Sequence, residues 1–114
     1  MSIPLAIQAL INQLNQKINE TEQGATEGLK LLRLLVSRFP ENVILIQYFA
    51  YLNAILFFIE TARKQIQITI TTISSDDVPL EIVRDAGEDL GNLLGRVIEE
   101  VRVRRILDFL EALP

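Results

Sequence analysis

The stretch LAIQALINQLNQKINETEQGATEGLKLLRLLVSRFP, from Leu5 to Pro40, decides the fold. Its apolar and small residues recur at alternating steps of four and three, and the opposite face is rich in Asn and Gln. That spacing is typical of a heptad seam, in which one face of a long helix packs against its neighbours. We therefore predict a first helix over about 4–39, ended by Pro40. The seam consists of Ile7, Ile11, Leu14, Ile18, Thr21, Ala25, Gly28, Leu32, Leu35 and Phe39.

Two glycines lie inside this stretch, and each weakens a helix by about 1 kcal/mol relative to alanine. Gly24 and Gly28 therefore allow a break near Gly24–Gly28 between two shorter helices. The seam keeps its phase on both sides of them, which favours one continuous helix. In that helix Ala25 and Gly28 are predicted sites of close contact with a neighbouring helix.

A second helix is predicted over about 42–73, with Asn42 as its N-terminal cap. Its last part, QIQITITTIS at 65–74, also alternates as a β-strand would, since Ile and Thr favour strands. The preserved helical phase favours a helix, and a two-stranded ribbon with residues 78–83 is the alternative. The apolar stripe of the helix consists of Leu45, Phe49, Leu52, Leu56, Ile59, Ile66, Ile70 and Ile73.

The loop SSDDVP carries capping residues and acids before a proline, a pattern typical of a helix start. A third helix is therefore predicted over about 79–112. Leu90 marks the apolar stripe of its first part, whereas Val103 marks a second stripe on nearly the opposite side. One groove cannot bury both stripes of a straight helix. Either the helix breaks near Arg102–Arg105, or its end binds another surface.

These elements predict an all-α fold in a single domain, 1–114: an elongated up-down-up bundle of three long helices. The second helix is apolar nearly all round, and two neighbours cannot cover it. We therefore expect a homo-oligomer, with a dimer as the simplest form. The predicted oligomer interface consists of Phe49, Leu52, Leu56, Ile59, Ile106, Leu110 and Leu113.

The segment AGEDLGNLLGRV places Gly87, Gly91 and Gly95 four residues apart on the third helix. Glycines at this spacing form a ridge without side chains, which allows another helix to come close. We predict a close helix contact at all three glycines, either within the subunit or across a dimer axis. A local helix start near Gly87 and a ligand contact are the alternatives.

The run NVILIQYFAYLNAILFFI, Asn42–Ile59, has no charged residue and reaches the length of a membrane span. Gln47 and Asn53 interrupt it, and Glu41 and Glu60 flank it. We interpret it as a central helix buried in an oligomer. A membrane span and an exposed apolar groove for a partner are the alternatives.

The composition excludes several kinds of chemistry. The chain contains no cysteine and no histidine, so thiolate chemistry and the commonest general base and metal ligand are missing. Nucleotide-binding glycine motifs and the G-x-S-x-G motif are absent as well. The net charge of −4 gives no general attraction to nucleic acid. The chain is therefore predicted not to be an enzyme and to need no cofactor.

Two charged clusters have simple structural explanations. The basic cluster Arg102, Arg104 and Arg105 has acidic neighbours at helical spacing, so ion pairs account for it. The acids near the start of the third helix favour the helix dipole and solubility. A carboxylate-based metal-binding or hydrolytic site is the alternative for them. These acids are Asp76, Asp77, Glu81, Asp85, Glu88 and Asp89.

The stretch GLKLLRLLVSRFPENVILIQYFAYLNAILFFIETARKQI resembles the junction of two tetratricopeptide repeats. Asn53 stands where that repeat usually has an aromatic residue, and no repeat period follows along the chain. The resemblance therefore implies a helical hairpin around Pro40 rather than membership of the family. The matching positions are Leu32, Leu35, Pro40, Ala50 and Ala62.

The function expected from these features is that of a non-catalytic protein–protein interaction module, a self-associating adapter or assembly factor. Its first partner is a second copy of itself, with another protein as a further candidate and no nucleic acid. The N-terminal residues lack the basic region of a secretory signal, so we expect a cytoplasmic location. A small membrane-associated protein with one span at 42–59, and a carboxylate-based metal-binding or hydrolytic protein, are the alternatives.

Overall fold

The computed structural model describes residues 3–75, 77–96 and 99–113, and 88% of these are helical with no strand among them. The all-α prediction is confirmed. The described chain forms a rod of 58 × 19 × 16 Å. Its described residues form four helices rather than the predicted three, since one helix ending at Arg96 and another beginning at Glu99 replace the predicted third helix. The helices are α1 (Leu5–Arg38), α2 (Val43–Ile73), α3 (Leu80–Arg96) and α4 (Glu99–Glu111).

Helix α1 is continuous through both of its glycines, so the alternative of a break near Gly24–Gly28 is wrong. Every predicted seam residue from Ile7 to Leu32 is buried, and Leu35 is half-buried. Phe39 is an exception, because its side chain is 55% exposed. The helix ends at Arg38, and the backbone of Phe39 turns away from the helical path after its N–H bonds to the Leu35 carbonyl.

Helix α2 begins at the predicted cap, where the Asn42 side chain accepts a hydrogen bond from the Leu45 N–H at 3.2 Å. It continues to Ile73, so the strand alternative for 65–74 is wrong. The threonines of this segment are satisfied inside the helix. Their hydroxyls donate to carbonyl groups one turn earlier, as at Thr69 to the Gln65 carbonyl, 2.9 Å. Similar bonds are made by Thr71 and Thr72.

Helix α2 runs antiparallel to α1, as two contacts far apart on the helices demonstrate. Glu22 meets Arg63 near the middle of both helices, and Gly28 faces Leu52 farther along α1 and earlier in α2. The helical hairpin implied around Pro40 is therefore present. Its helices are 34 and 31 residues long.

Helices α3 and α4 follow one another along α1. Gly87 of α3 lies beside Ile7 near the start of α1, and Val103 of α4 lies beside Gly24 farther along. The apolar stripes of α3 and α4 both face the core. The predicted break near Arg102–Arg105 is wrong, because α4 is helical there. The buried residues are Val83, Ala86, Leu90 and Leu93 of α3, and Val103, Ile106 and Leu110 of α4.

Candidate interaction surface

The inner face of α2 forms part of the core. It packs against α1 along most of its length and also meets α3 and α4. Leu52 is fully buried on this face, at 0% exposure. The inner face of α2 consists of Leu45, Leu52, Ile55, Ile59, Ala62, Ile66 and Ile73.

The opposite side of α2 is also largely apolar, and it is exposed. We call it the outer face of α2 and define it by Val43, Ile46, Gln47, Ala50, Asn53, Ala54 and Phe57. These residues recur at helical spacing, so they line one stripe. Val43 is 62% exposed and Phe57 is 72% exposed. Monomeric proteins rarely leave a contiguous apolar surface uncovered, and such surfaces often mark interaction sites.

Two amide side chains lie within this stripe. The Asn53 Nδ2 group donates to the Phe49 carbonyl at 3.0 Å, which occupies one of its donors. In the described part of the chain the Asn53 Oδ1 atom and the whole Gln47 amide have no further partner. The outer face therefore offers both an acceptor and donors to a second molecule.

An apolar groove adjoins the start of α2. It encloses about 280 Å³ between the end of α1, the first turn of α2 and the end of α4. Phe39 and Ile44 contribute exposed side chains to it. The ring of Phe109 forms its α4 side and packs edge-to-face on Tyr48, with 5.9 Å between ring centres. The lining residues are Leu35, Phe39, Asn42, Ile44, Leu45, Phe109 and Leu113.

The basic cluster of α4 makes a contact that the sequence spacing did not predict. The guanidinium carbon of Arg102 lies 4.3 Å from the centre of the Tyr51 ring, a cation–π arrangement. This contact joins α4 to α2. The sequence pattern gives no signal for this contact, because Arg102 and Tyr51 are fifty-one residues apart.

A charged clamp holds α1 against α2. Arg63 Nη1 donates to Glu22 Oε2 at 2.6 Å, and Nη2 donates to Glu22 Oε1 at 2.9 Å and to Asn19 Oδ1 at 2.8 Å. The hydrogen bonds from Arg63 lower the pKa of the Glu22 carboxyl below its ordinary value, more than partial burial raises it. Both side chains are partly exposed, so the clamp orients the helices more than it stabilises them.

The small residues predicted to make close helix contacts fall into two groups, which differ in how near a neighbouring side chain lies. A Cβ atom on Gly28 would lie 2.7 Å from Leu52 Cδ1, and Ala25 is fully buried, so α1 is closely approached at both positions. On Gly87 a Cβ atom would meet Ile7 at an ordinary 3.8 Å. A Cβ atom on Gly91 or Gly95 would have no described atom within 4 Å beyond its chain neighbours and the backbone of its own helix, so neither makes the predicted close contact inside the described chain. A contact there across two chains stays a prediction.

The residues of the predicted oligomer interface also fall into two groups, which differ in burial. Leu52, Ile59, Ile106 and Leu110 are buried in the core of the single chain, where the fold already covers them. Phe49 and Leu56 are half-buried at the sides of α2, and Leu113 is exposed at the groove. The predicted interface residues do not include those of the exposed outer face. The signal for the outer face was the second stripe of helical spacing beginning at Val43.

The acidic residues and the apolar helix α2 relate to the two alternative functions, a metal-binding site and a membrane span. Within the described ranges no three acidic side chains come together in a way that could hold a metal ion, and Asp76 lies outside those ranges. Helix α2 is long and apolar enough to cross a membrane. Its most apolar eighteen-residue window has a mean hydropathy of 1.8, and 22% of that window is buried in the fold.

Comparison with known proteins adds no relative: the chain matches no protein-family model, no curated protein and no solved structure. Over its described residues the chain is all-α, with four helices, one of which is apolar on two sides.

Proposed function

We propose that this protein is a non-catalytic helical interaction module that self-associates, serving as an adapter or assembly factor in the cytoplasm. The observation that carries the proposal is the surface of α2. Its first seventeen residues carry no charge, and those pointing away from the bundle leave Val43, Ile46 and Phe57 exposed. Covering such a surface with a second apolar surface removes it from water, at roughly 25 cal/mol per Å².

The apolar groove supports the same proposal. It lies at the end of the bundle where Phe39 and Ile44 are both 55% exposed, next to Val43 of the outer face. Its lining is uncharged, so it favours apolar side chains over charged ligands. The groove adds a second exposed apolar surface at this end of α2.

A membrane span is the second candidate, and the hydropathy of α2 favours it. The packing of α2 favours the soluble alternative. Seven residues of α2 are buried against the other helices, and Arg63 binds Glu22 on α1. The other helices carry many charged side chains, as at Lys17 and Arg84, which hydrocarbon disfavours.

Sedimentation velocity in detergent-free buffer across the micromolar range tests the proposal. We expect a species of at least twice the 12.9 kDa chain mass, with a fraction that rises with concentration. A single 12.9 kDa species at every concentration would contradict self-association. Flotation with phosphatidylcholine vesicles separates the second candidate: we expect the protein to stay with the dense fraction, and co-flotation would favour the membrane span.

A further inference from the structure

We propose that two copies of the chain pair through the outer face of α2, with the two α2 helices antiparallel and a two-fold axis beside Ala50. This inference rests on the proposed self-association and adds its surface, direction and register. A second copy is the occupant because the outer face is complementary to itself.

The complementarity of size follows from the order of residues around Ala50. In an antiparallel pair centred there, each residue faces the one equally far on the other side of Ala50. Ile46 then faces Ala54 of the second copy, and Val43 faces Phe57. A larger side chain meets a smaller one at each level, and Ala50 meets Ala50 at the axis, where the helices can approach closely. Interfaces of this kind exclude water when large and small residues alternate across them.

The complementarity of hydrogen bonding follows from the two amides. In the same register Gln47 of each copy faces Asn53 of the other, so the dimer contains this pair twice. The Asn53 Nδ2 group already donates to the Phe49 carbonyl, which leaves Oδ1 as the acceptor for the Gln47 Nε2 group. The polar atoms inside the stripe therefore obtain partners. A membrane or an unrelated apolar helix supplies no such amide at that level.

Charge determines the direction of the pair. The stripe continues beyond Phe57 to Lys64, with Glu60 at its edge. A parallel pair places Lys64 against Lys64 and Glu60 near Glu60, and like charges facing each other are destabilising. In the antiparallel pair both residues lie beyond the first residue of the other copy's α2, Val43, and remain in water.

The size of the face sets the expected strength. From Val43 to Phe57 it extends about 21 Å at 1.5 Å per residue. One helical stripe of this length is smaller than a standard interface, which covers about 800 Å² on each side. The dimer is therefore expected to dissociate on dilution.

Disulfide trapping tests the register, because the chain has no cysteine of its own. We expect a mixture of Ile46→Cys and Ala54→Cys chains to form a disulfide-linked dimer under mild oxidation, and neither variant to do so alone. Identical positions are separated by about 12 Å along the antiparallel helices, beyond the reach of a disulfide. Strong linkage of Ile46→Cys to itself would overturn the antiparallel pair.

A charge at the axis tests the surface. Ala50 is exposed, so Ala50→Glu leaves the single chain folded, which circular dichroism verifies, and places two carboxylates against each other in the dimer. We expect at least a tenfold increase in the dissociation constant measured by sedimentation. Ala9→Glu is the matched control, because Ala9 is exposed on α1 away from the seam, and it leaves the dissociation constant unchanged.

The outcomes separate this inference from the proposed function. A wild-type dimer that Ala50→Glu leaves intact, without linkage between positions 46 and 54, overturns the pairing and leaves self-association standing. A wild-type chain that is monomeric at all concentrations overturns both. Binding to phosphatidylcholine vesicles that Ala50→Glu abolishes, with no dimer, assigns the outer face to a membrane and overturns the pairing.

Discussion

The inner and outer faces of α2 carry similar residues and have opposite surroundings. Leu52 and Ile59 on the inner face are buried by the other helices, whereas Ile46 and Phe57 on the outer face remain in contact with solvent. Composition alone therefore does not tell which side of an apolar helix forms the core. The difference arises from the neighbours: α1 provides a continuous apolar seam for one side of α2, and none of the described helices covers the other.

Truncation of the inner face should have the largest effect. Leu52→Ala removes a fully buried side chain and leaves a cavity beside Gly28, so we expect a loss of about 2–5 kcal/mol in unfolding free energy. Phe57→Ala on the outer face should change the stability of the dissociated chain by less than about 0.5 kcal/mol. Urea unfolding at high dilution, followed by circular dichroism, compares them. Equal losses would contradict the division into two faces.

Overpacking the same contact should have the next largest effect. A Cβ atom on Gly28 would lie 2.7 Å from Leu52 Cδ1, so Gly28→Val forces the leucine to move. We expect a loss of about 1–3 kcal/mol. In a double-mutant cycle, Leu52→Ala should recover part of that loss, because it makes room for the valine. Strictly additive effects would mean that the two side chains do not compete for space.

Substitution of a glycine that no neighbour covers should raise the stability of the chain instead of lowering it. Gly91 lies inside α3, and beyond its chain neighbours and the backbone of its own helix no described atom is within 4 Å of its Cβ position. Gly91→Ala should therefore stabilise the dissociated chain by about 1 kcal/mol, through helix propensity alone. Thermal unfolding of dilute protein measures this. A loss of stability would contradict the open space around this position in the single chain.

The smallest effect is expected at the border between the two faces, where Arg63 holds Glu22. The hydrogen bonds from Arg63 lower the pKa of Glu22 in the folded chain, so the carboxylate stabilises the fold above the pKa it has when unfolded. That contribution is lost as pH falls through the lower, folded pKa. Because both side chains are partly exposed, we expect at most about 1 kcal/mol.

The measurement for this pair is the difference in unfolding free energy between the wild type and Glu22→Gln as a function of pH. The wild type should be the more stable at neutral pH, and the difference should shrink once the pH is well below 4.5, the ordinary pKa of a glutamate. A difference that does not change with pH would exclude the ionised carboxylate as its cause.

Much of the fold follows from periodicity, and the limits of that reasoning are physical. The seam of α1 was predictable because burial on one side imposes a regular spacing, and Gly24 and Gly28 do not disturb its phase. The presence of two helices in place of the predicted third was visible as a change of phase between Leu90 and Val103. The bounds of the two helices were not visible, since the change of phase does not determine the residue at which each one ends or begins.

The exposed outer face of α2 was harder to predict, because an apolar side chain has the same signature in a core and on an exposed stripe. Leu52 and Phe57 both fit the pattern of a packed helix, and only the placement of α1 and α4 distinguishes them. The glycine ridge of α3 is a similar case. Spacing identifies Gly91 and Gly95 as positions where a neighbour can approach, whereas the fold determines whether a neighbour is there.

The most direct test of the division of α2 into two faces is how the melting temperature depends on protein concentration, in the wild type and in Ala50→Glu. Association stabilises the folded state by mass action, so the melting temperature of a dimer rises with concentration. We predict such a rise for the wild type and a smaller rise for Ala50→Glu over the same concentrations. A constant melting temperature for both proteins, or an equal rise in both, would contradict the account.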